Sequence, residues 1–423
     1  MSKLPIDVPK EKLQQIRMNT FRKVQREKIT KKRIVPVALV ALFCLCILFS
    51  IRVSPTFASY VAKIPGFHAL VSAISSDAGI KDIVDNQYYE EINVTESKNG
   101  LSLTLQGAIA DHTGLVLFYG ADALLNMSDL YLNDVQLFQG DDQILGDYQT
   151  SGRSTFVETD NQEYTSSTVE YNFPEPIVYT SKDFKAVFHF KDKEKGDFEI
   201  TIPFTLQNEI AQEKVIPVNR MVDIDGQKFT ITQIRRSPLK TAIDIELEEA
   251  NTMQILAFDD IAVMTDSGER RYSIINGTSK HGDIRDGKFT LYVQSNYFHD
   301  SDSLTINIGA VQAVPKGEDF IEVDFGTKVV KKPEYFDWDI SVTSQNVSVA
   351  VKKGDNRGRL LRLWNAVKED GTPLELTRAT ITEDEQYEME TTYFQDYDGK
   401  AKLYFDYYFN PIGKNIEMTI PLQ

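Results

Sequence analysis

The sequence holds two cysteines in 423 residues, Cys44 and Cys46, and both fall in one apolar run. No disulfide and no thiol nucleophile is available anywhere after residue 46. A long chain without bridges has to be held by core burial alone. Histidine is also scarce. The five, His68, His112, His189, His281 and His299, show no His-Glu-x-x-His spacing, so no zinc-hydrolase motif is written here. There is no Gly-x-Ser-x-Gly elbow and no phosphate-cradling P-loop. These absences argue against an enzyme, and no cofactor or metal is expected. Positive charge is the last shortage: 46 Lys and Arg face 62 Asp and Glu, a net of −16.

What basic charge there is lies at one end. Residues 1–33 carry 11 basic and 3 acidic side chains, net +8, and Arg52 adds one more, so Val53–Gln423 must carry −25. An acidic surface of that size repels polyanions, which makes nucleic acid a poor partner. Between the two regions runs Ile34–Ile51, IVPVALVALFCLCILFSI, eighteen residues with no charge. At 1.5 Å per residue it would reach roughly 27 Å, close to the thickness of a bilayer core. The expectation is a transmembrane helix, single-pass, with membrane lipid as its surroundings. The Lys/Arg bias predicts a cytoplasmic N-terminus and an extracellular C-terminal region. The alternative is a cleaved signal peptide ending near Thr56-Phe57-Ala58, but a 33-residue leader is long for one.

The leader itself predicts an amphipathic basic helix over Lys10–Thr30, which lacks Gly and Pro. Leu13, Ile16, Phe21 and Val24 share one broad face and are the candidate partner-binding residues. Such a helix can lie on the inner leaflet, or dock in a groove of a cytoplasmic protein. Short helical patterns over Ser54–Val84 predict helices packed on the first β domain.

From Gln87 the period changes to two. Tyr89–Val94, then Asn99-Gly100, then Leu101–Leu105 reads as a hairpin. Alternating runs recur to the end of the chain. The predicted fold class is mainly β, with an N-terminal cytoplasmic helix, one transmembrane helix and tandem immunoglobulin-like β-sandwich domains. The expected boundaries are 1–33 for the cytoplasmic helix and 34–51 for the span. Residues 54–206 then form the juxtamembrane helices and first sandwich, 215–326 the second sandwich, and 335–423 a third β-rich domain. The blocks end alike, in Ala186–Leu206, Phe289–Val311 and Ala401–Leu422. An aromatic-rich strand leads through a polar turn to an alternating strand, which predicts a repeated terminal hairpin. Acidic turns such as Asp396-Tyr397-Asp398-Gly399 suit a hairpin turn better than a calcium loop. In the last block, alternation would put Tyr404 and Tyr408 on one face and Phe405, Tyr407 and Phe409 on the other.

Several stretches carry a family resemblance. They are PIDVPKEKLQQI (Pro5–Ile16), SPTFASYVAKIPGFHALVSAI (Ser54–Ile74) and QYYEEINVTESKNGLSLTL (Gln87–Leu105), with Ala110-Asp111. Together they resemble a family of single-pass membrane proteins of Gram-positive bacteria, a domain of unknown function. Its members are commonly encoded beside extracytoplasmic-function sigma factors. The block IPVNRMVDIDGQKFTITQIRRSPLKTAIDIEL (Ile216–Leu247) is similar to a second, β-rich domain of unknown function that often follows. The resemblance implies an anti-sigma-like regulator in the cell membrane, with a cytoplasmic sigma factor held through residues 1–33 and an extracytoplasmic sensory region for an unknown extracellular ligand. This chain departs from better-known anti-sigma factors in having no Cys/His zinc motif in its leader. The composition alone also allows a membrane-anchored envelope binding or scaffolding protein with no signalling role.

Overall fold

The computed structural model describes residues 73–422, apart from 75–76, 124–129, 141, 144–148, 160–161, 174, 194–195, 267, 273–279, 353–362 and 364. The leader with Leu13, Ile16, Phe21 and Val24, and the run Ile34–Ile51, lie outside the described residues. Among the described residues no helix is long and apolar enough to cross a membrane. The chain is mainly β, and its strand pairings are antiparallel.

A helix, α1 (Ala78–Asp85), precedes the strands. The first sheet comes from β1 (Glu90–Lys98), β2 (Leu101–Asp111), β3 (Gly114–Ala123), β6 (Gln149–Thr159) and β7 (Gln162–Asn172). Their order is β1-β2-β3-β7-β6. The second comes from β4 (Leu130–Gln139), β5 (Asp142–Gln143), β8 (Asp183–Asp192) and β9 (Gly196–Thr205), in the order β5-β4-β8-β9. Alternation explains why they stack. Leu101, Leu103 and Leu105 of β2, Leu115 and Leu117 of β3, Ala186 and Phe188 of β8 and Ile200 and Ile202 of β9 all enter one core. Each large apolar side chain removed from water there contributes about 1.5–3 kcal/mol.

The second unit repeats this plan. One sheet is β10 (Lys214–Ile224), β11 (Gln227–Arg236), β12 (Lys240–Leu247), β16 (Lys280–His281) and β17 (Lys288–Gln294), ordered β10-β11-β12-β17-β16. The other holds β13 (Met253–Asp259), β14 (Ala262–Thr265), β15 (Arg270–Tyr272) and β18 (Ser303–Pro315). The strands β13 and β14 lie end to end along one edge of β18. Local detail repeats as well. Asn93 in β1 and Asn219 in β10 sit at φ 53° and 49° where the register slips. Both strands then turn through a pair at positive φ, Asn99-Gly100 and Asp225-Gly226, the conformation a two-residue hairpin of this hand requires.

The third unit has two four-stranded sheets. One is β20-β19-β26-β23, from β19 (Phe320–Asp324), β20 (Val329–Lys331), β23 (Asn365–Lys368) and β26 (Lys400–Tyr404). The other is β21-β22-β25-β24, from β21 (Asp339–Val342), β22 (Asn346–Lys352), β24 (Leu376–Glu383) and β25 (Tyr387–Phe394). Phe336, Trp338, Phe405 and Tyr408 stack at its centre.

The final strand, β27 (Pro411–Pro421), does not belong to this third unit. It pairs with the free edge of β18, from Ser303↔Pro421 to Gln312↔Pro411, and delivers Met418 and Ile420 to the second core. The third unit is therefore inserted between two adjacent strands of the second, rather than following it in tandem. This corrects the boundaries drawn at 326 and 335. The second unit takes back its last strand from the C-terminus, and the third begins before 326, with β19. The expected terminal hairpin is also corrected. Only Ala186–Leu206 forms one, as β8 and β9. The strands β17 and β18 lie in opposite sheets, and β26 and β27 lie in different units. Asp396–Gly399 likewise joins β25 to β26 across the two sheets and is not a hairpin turn.

Two short crossings connect the second and third units, residues 316–319 and 405–410. Arg285, in the 3-10 turn Ile284–Asp286, holds both. Its Nε is 3.2 Å from Asp319 Oδ2, and its Nη2 donates to the carbonyl of Phe405. Asn410 donates to the Ala313 carbonyl at 2.6 Å, and Tyr407 donates to Asp259 at 3.4 Å. A register slip between Ile255 and Ala257 turns Leu256 out of the second core and into the third. Because β26 stops at Tyr404, strict alternation ends there. Phe405 and Tyr408 therefore both point into the third core, while Tyr407 faces the second unit.

Candidate functional site

The described residues concentrate buried charge where α1 and the first two sandwiches meet. Asp77 caps α1, accepting from the amides of Gly79 at 2.7 Å and Ile80 at 3.2 Å. This ends the helix in the usual way for an acidic N-cap. Gly79 lets the helix close on the second sandwich. A Cβ there would stand 2.8 Å from the Ser295 amide nitrogen. Short helices over Ser54–Val84 were expected to pack on the first β domain. The described helix packs on the second instead.

Its anchor is Asp82. Arg271 of β15 is fully buried and places Nη2 2.6 Å from Asp82 Oδ2 and 3.1 Å from Glu269 Oε2. His299 Nε2 lies 2.8 Å from the same Asp82 oxygen and 2.7 Å from Arg271 Nη2. Burial raises the Asp82 carboxyl above the ordinary carboxylate range, and Arg271 and His299 offset part of that shift. Among the described residues, Arg271 Nε and Nη1 have no hydrogen-bond partner. Removing one partner from a buried pair of this kind costs about 3–5 kcal/mol, because the other charge is stranded.

The exit from α1 is tied to the connector between the sandwiches. Tyr88 donates to the Ala110 carbonyl at 2.8 Å and accepts from the Ala211 amide at 3.0 Å. Glu90 accepts from the amides of Gln207 and Asn208. Tyr88 also packs against Phe298, ring centroids 5.8 Å apart.

A cleft of about 240 Å³, open solvent included, lies between the two sandwiches. Thr113, Phe173, Glu213, Arg235, Lys240 and Tyr292 are among its lining residues. Asp111 bridges the sandwiches, holding Thr113 through Oδ1 and the Leu239 amide through Oδ2 at 2.8 Å. Arg235 is clamped by Asp244 at 2.8 and 2.9 Å. That hydrogen bonding outweighs burial and raises the guanidinium further above its ordinary range. Lys240 is buried beside the Tyr292 ring, at 4.4 Å, and burial pulls its amine down to about 8.

These groups are mutually engaged and read as joints between elements. Ser237 Oγ donates to the Lys240 carbonyl, and Ser295 Oγ donates to the Ser237 carbonyl. Among the described residues there is no cluster of three or more His, Cys, Asp or Glu that could hold a metal ion. The candidate residues Leu13, Ile16, Phe21 and Val24 lie outside the described residues. Sequence reasoning missed Asp82, Arg271 and His299. Arg271 and His299 are 189 and 217 positions from Asp82, and no local motif joins residues so far apart.

Comparison with known proteins gives two family matches. Residues 28–122 match a domain of unknown function (DUF4179), and residues 213–340 match a family of unknown function (DUF5643). The first range covers the apolar run, α1 and most of β1 to β3, and leaves out Pro5–Ile16. The second covers β10 to β18 and enters the third unit, but stops short of β27. No curated protein matches. Among solved structures, a conserved domain protein from Bacillus anthracis is 14% identical, over 58% of this chain and 85% of its own, with a TM-score of 0.37. An uncharacterised protein from Listeria monocytogenes is 8% identical, over 70% of this chain and 29% of its own, with a TM-score of 0.15. At those scores neither carries an argument about this fold.

Proposed function

We propose that this chain is a single-pass regulator of the cell membrane, anti-sigma-like in design, with its β region outside and residues 1–33 in the cytoplasm. Ile34–Ile51 is the transmembrane helix of this reading, held in lipid by its apolar length and by the basic leader on the inner leaflet. The outer sandwiches are immunoglobulin-like. In β2 to β9, one sheet runs β2-β3-β7-β6 and the other β5-β4-β8-β9, which is the A-B-E-D and C′-C-F-G order of that fold. Leu13, Ile16, Phe21 and Val24 form the face that holds a sigma factor.

The observation that carries the reading is the docking of α1. The chain leaves the apolar run at Ile51 and reaches α1 at Ala78, and α1 is clamped to the second sandwich by Asp82 and Arg271. A ligand or envelope stress that favoured the undocked state would alter the tether above the membrane. A stimulus shifts such an equilibrium only by its differential affinity for the two states.

The test is co-purification of the full chain from membranes. A sigma factor should be retained with the wild type and lost with Leu13→Asp or Phe21→Asp. Asp82→Ala should change sigma-dependent transcription in cells while leaving the chain in the membrane. Retention of no cytoplasmic protein above the Phe21→Asp control would remove the motive for a regulator. The scaffolding reading rests on the joint-like character of the junction, and it predicts that exchange of residues 1–33 for another basic leader leaves function intact.

A further inference from the structure

Lys240 and Asn172 stand out because neither has a finished set of partners. Asn172 ends β7 of the first sandwich, and Lys240 begins β12 of the second. Lys240 is 4% exposed, and its Nζ lies 3.4 Å from Asn172 Oδ1. That is a long contact, and it is the one hydrogen bond that Lys240 Nζ makes among the described residues, where a buried ammonium ordinarily finds acceptors for all three N–H groups. Asn172 Nδ2 is also buried and has no hydrogen-bond partner among the described residues. An amine and a carboxamide are thus held against each other, largely away from water.

We propose that Lys240 and Asn172 join spontaneously in an isopeptide bond that staples the first sandwich to the second. The neutral Lys240 Nζ attacks Asn172 Cγ, forming a C–N bond and a tetrahedral centre. One proton leaves Nζ and reaches Nδ2 through the Glu213 carboxyl, which lines the cleft with Lys240. The bond from Cγ to Nδ2 then breaks and ammonia departs. The product is a secondary amide, Glu213 is regenerated, and no oxidant or reductant is involved.

Three features favour the step. With its amine pulled down to about 8, Lys240 has a neutral, nucleophilic fraction near neutral pH. Burial raises the Glu213 carboxyl toward the range useful for proton relay. The fold also holds the reactants together, which replaces a bimolecular encounter with an intramolecular one. Asp111 is less suited to the relay, since both its oxygens already accept from Thr113 and Leu239, whereas Glu213 has one long contact, Oε1 to Arg235 at 3.4 Å. The region after residue 46 has no cysteine, so an amide is a covalent cross-link open to it where a disulfide is not.

Intact-mass spectrometry of the full chain, purified from membranes, tests this directly. The wild type should weigh one ammonia less than its sequence, and proteolysis should yield a branched peptide containing both Asn172 and Lys240. Lys240→Arg and Asn172→Ala should each restore the full sequence mass, and Glu213→Gln should slow the loss of ammonia. A wild type at its full sequence mass overturns the proposal. So does ammonia loss that persists in Lys240→Arg, because that would be cyclisation at an asparagine. Complete loss in Glu213→Gln at the wild-type rate overturns the relay assigned to Glu213. The wild-type mass alone decides on the bond, so a variant that fails to fold leaves the test intact.

Discussion

Ile420 is the third residue from the end of the described chain, yet it is buried in the core of the second sandwich. It is 3% exposed and pairs with Leu304 of β18. Ile420→Ala deletes buried methyl and methylene groups and leaves a void, a change that costs about 2–5 kcal/mol. The loss falls on the second sandwich, whose core includes Phe229, Ile243, Ile306 and Met418. Hydrogen exchange read by mass spectrometry on peptides from β11 and β22 separates the possibilities. If opening of the second sandwich governs exchange in β11, a 3 kcal/mol loss speeds it by about a hundredfold. Exchange in β22, within the third unit, should change far less. The matching position in the first sandwich is Ile202, which pairs with Ala186 of β8. Ile202→Ala should deprotect β2 and leave β11 protected. If Ile420→Ala instead deprotected β22 and spared β11, the last strand would belong to the third unit and the nested arrangement would be wrong.

Other perturbations probe the joints. Asp82→Ala leaves the buried Arg271 with Glu269 as its remaining carboxylate and should cost at most about 3–5 kcal/mol, seen as exchange or proteolysis across α1; adding Arg271→Met should recover much of it, and equal losses in the single and double variants would deny the coupling. Arg285→Ala removes charged hydrogen bonds to Asp319 and the Phe405 carbonyl. These are worth about 1.5–3 kcal/mol each, so exchange should quicken in residues 316–319 and 405–410, and unchanged exchange there would deny Arg285 its role. In Asn172→Ala, where no cross-link can form, Lys240 keeps its amine. Unfolded, that amine holds its proton to near 10.5, while the folded protein releases it near 8. The unfolded state binds more protons between those values, so stability should rise with pH across them, by about 3 kcal/mol if the whole shift is expressed. A flat profile in a chemical-denaturation series would remove Lys240 from the account. The cross-linked wild type lacks this amine and should lack the rise; breaking its closed loop of 68 residues with Lys240→Arg should cost about 4 kcal/mol by the chain-entropy account.

Much of the β architecture is legible in the sequence, because period-two alternation and Asx-Gly turns are local signals. Leu101, Leu103 and Leu105 announce a strand buried on one face, and Asn99-Gly100 announces its turn. The nested insertion is not local. Ile202-Pro203-Phe204 and Ile420-Pro421-Leu422 do look alike, and the likeness is real, since both close the edge of a sheet beside β8 or β18. Read along the chain, that likeness suggests two domains ending. In space it marks the same strand in two sandwiches, one of them interrupted by another unit. A second signal was available in the paired openings, Asn93 before Asn99-Gly100 and Asn219 before Asp225-Gly226. The charged joints gave no such warning. Asp82, Arg271 and His299 meet only after three distant segments have folded, and an isolated acid, base or imidazole looks like ordinary surface until then.

The joints differ in what would hold them, and that difference indicates where the β region can yield. The third unit is bound to the second by two chain crossings, a shared apolar cluster and Arg285, so a hinge there would have to break several contacts together. The first and second sandwiches share Asp111, Thr113, Ser237 and Leu239, and an amide between Asn172 and Lys240 would close that joint covalently. The helix α1 is held by Asp82, Arg271 and His299 and by the Tyr88 and Glu90 ties at its exit, with no covalent closure proposed for it. It is short, its anchor is a carboxylate whose burial is only partly offset, and its guanidinium partner leaves Nε and Nη1 unsatisfied. Of the three joints, α1 is the one nearest along the chain to the apolar run Ile34–Ile51, so in the regulator proposed above a change at Asp82 is the one that would pass to the leader.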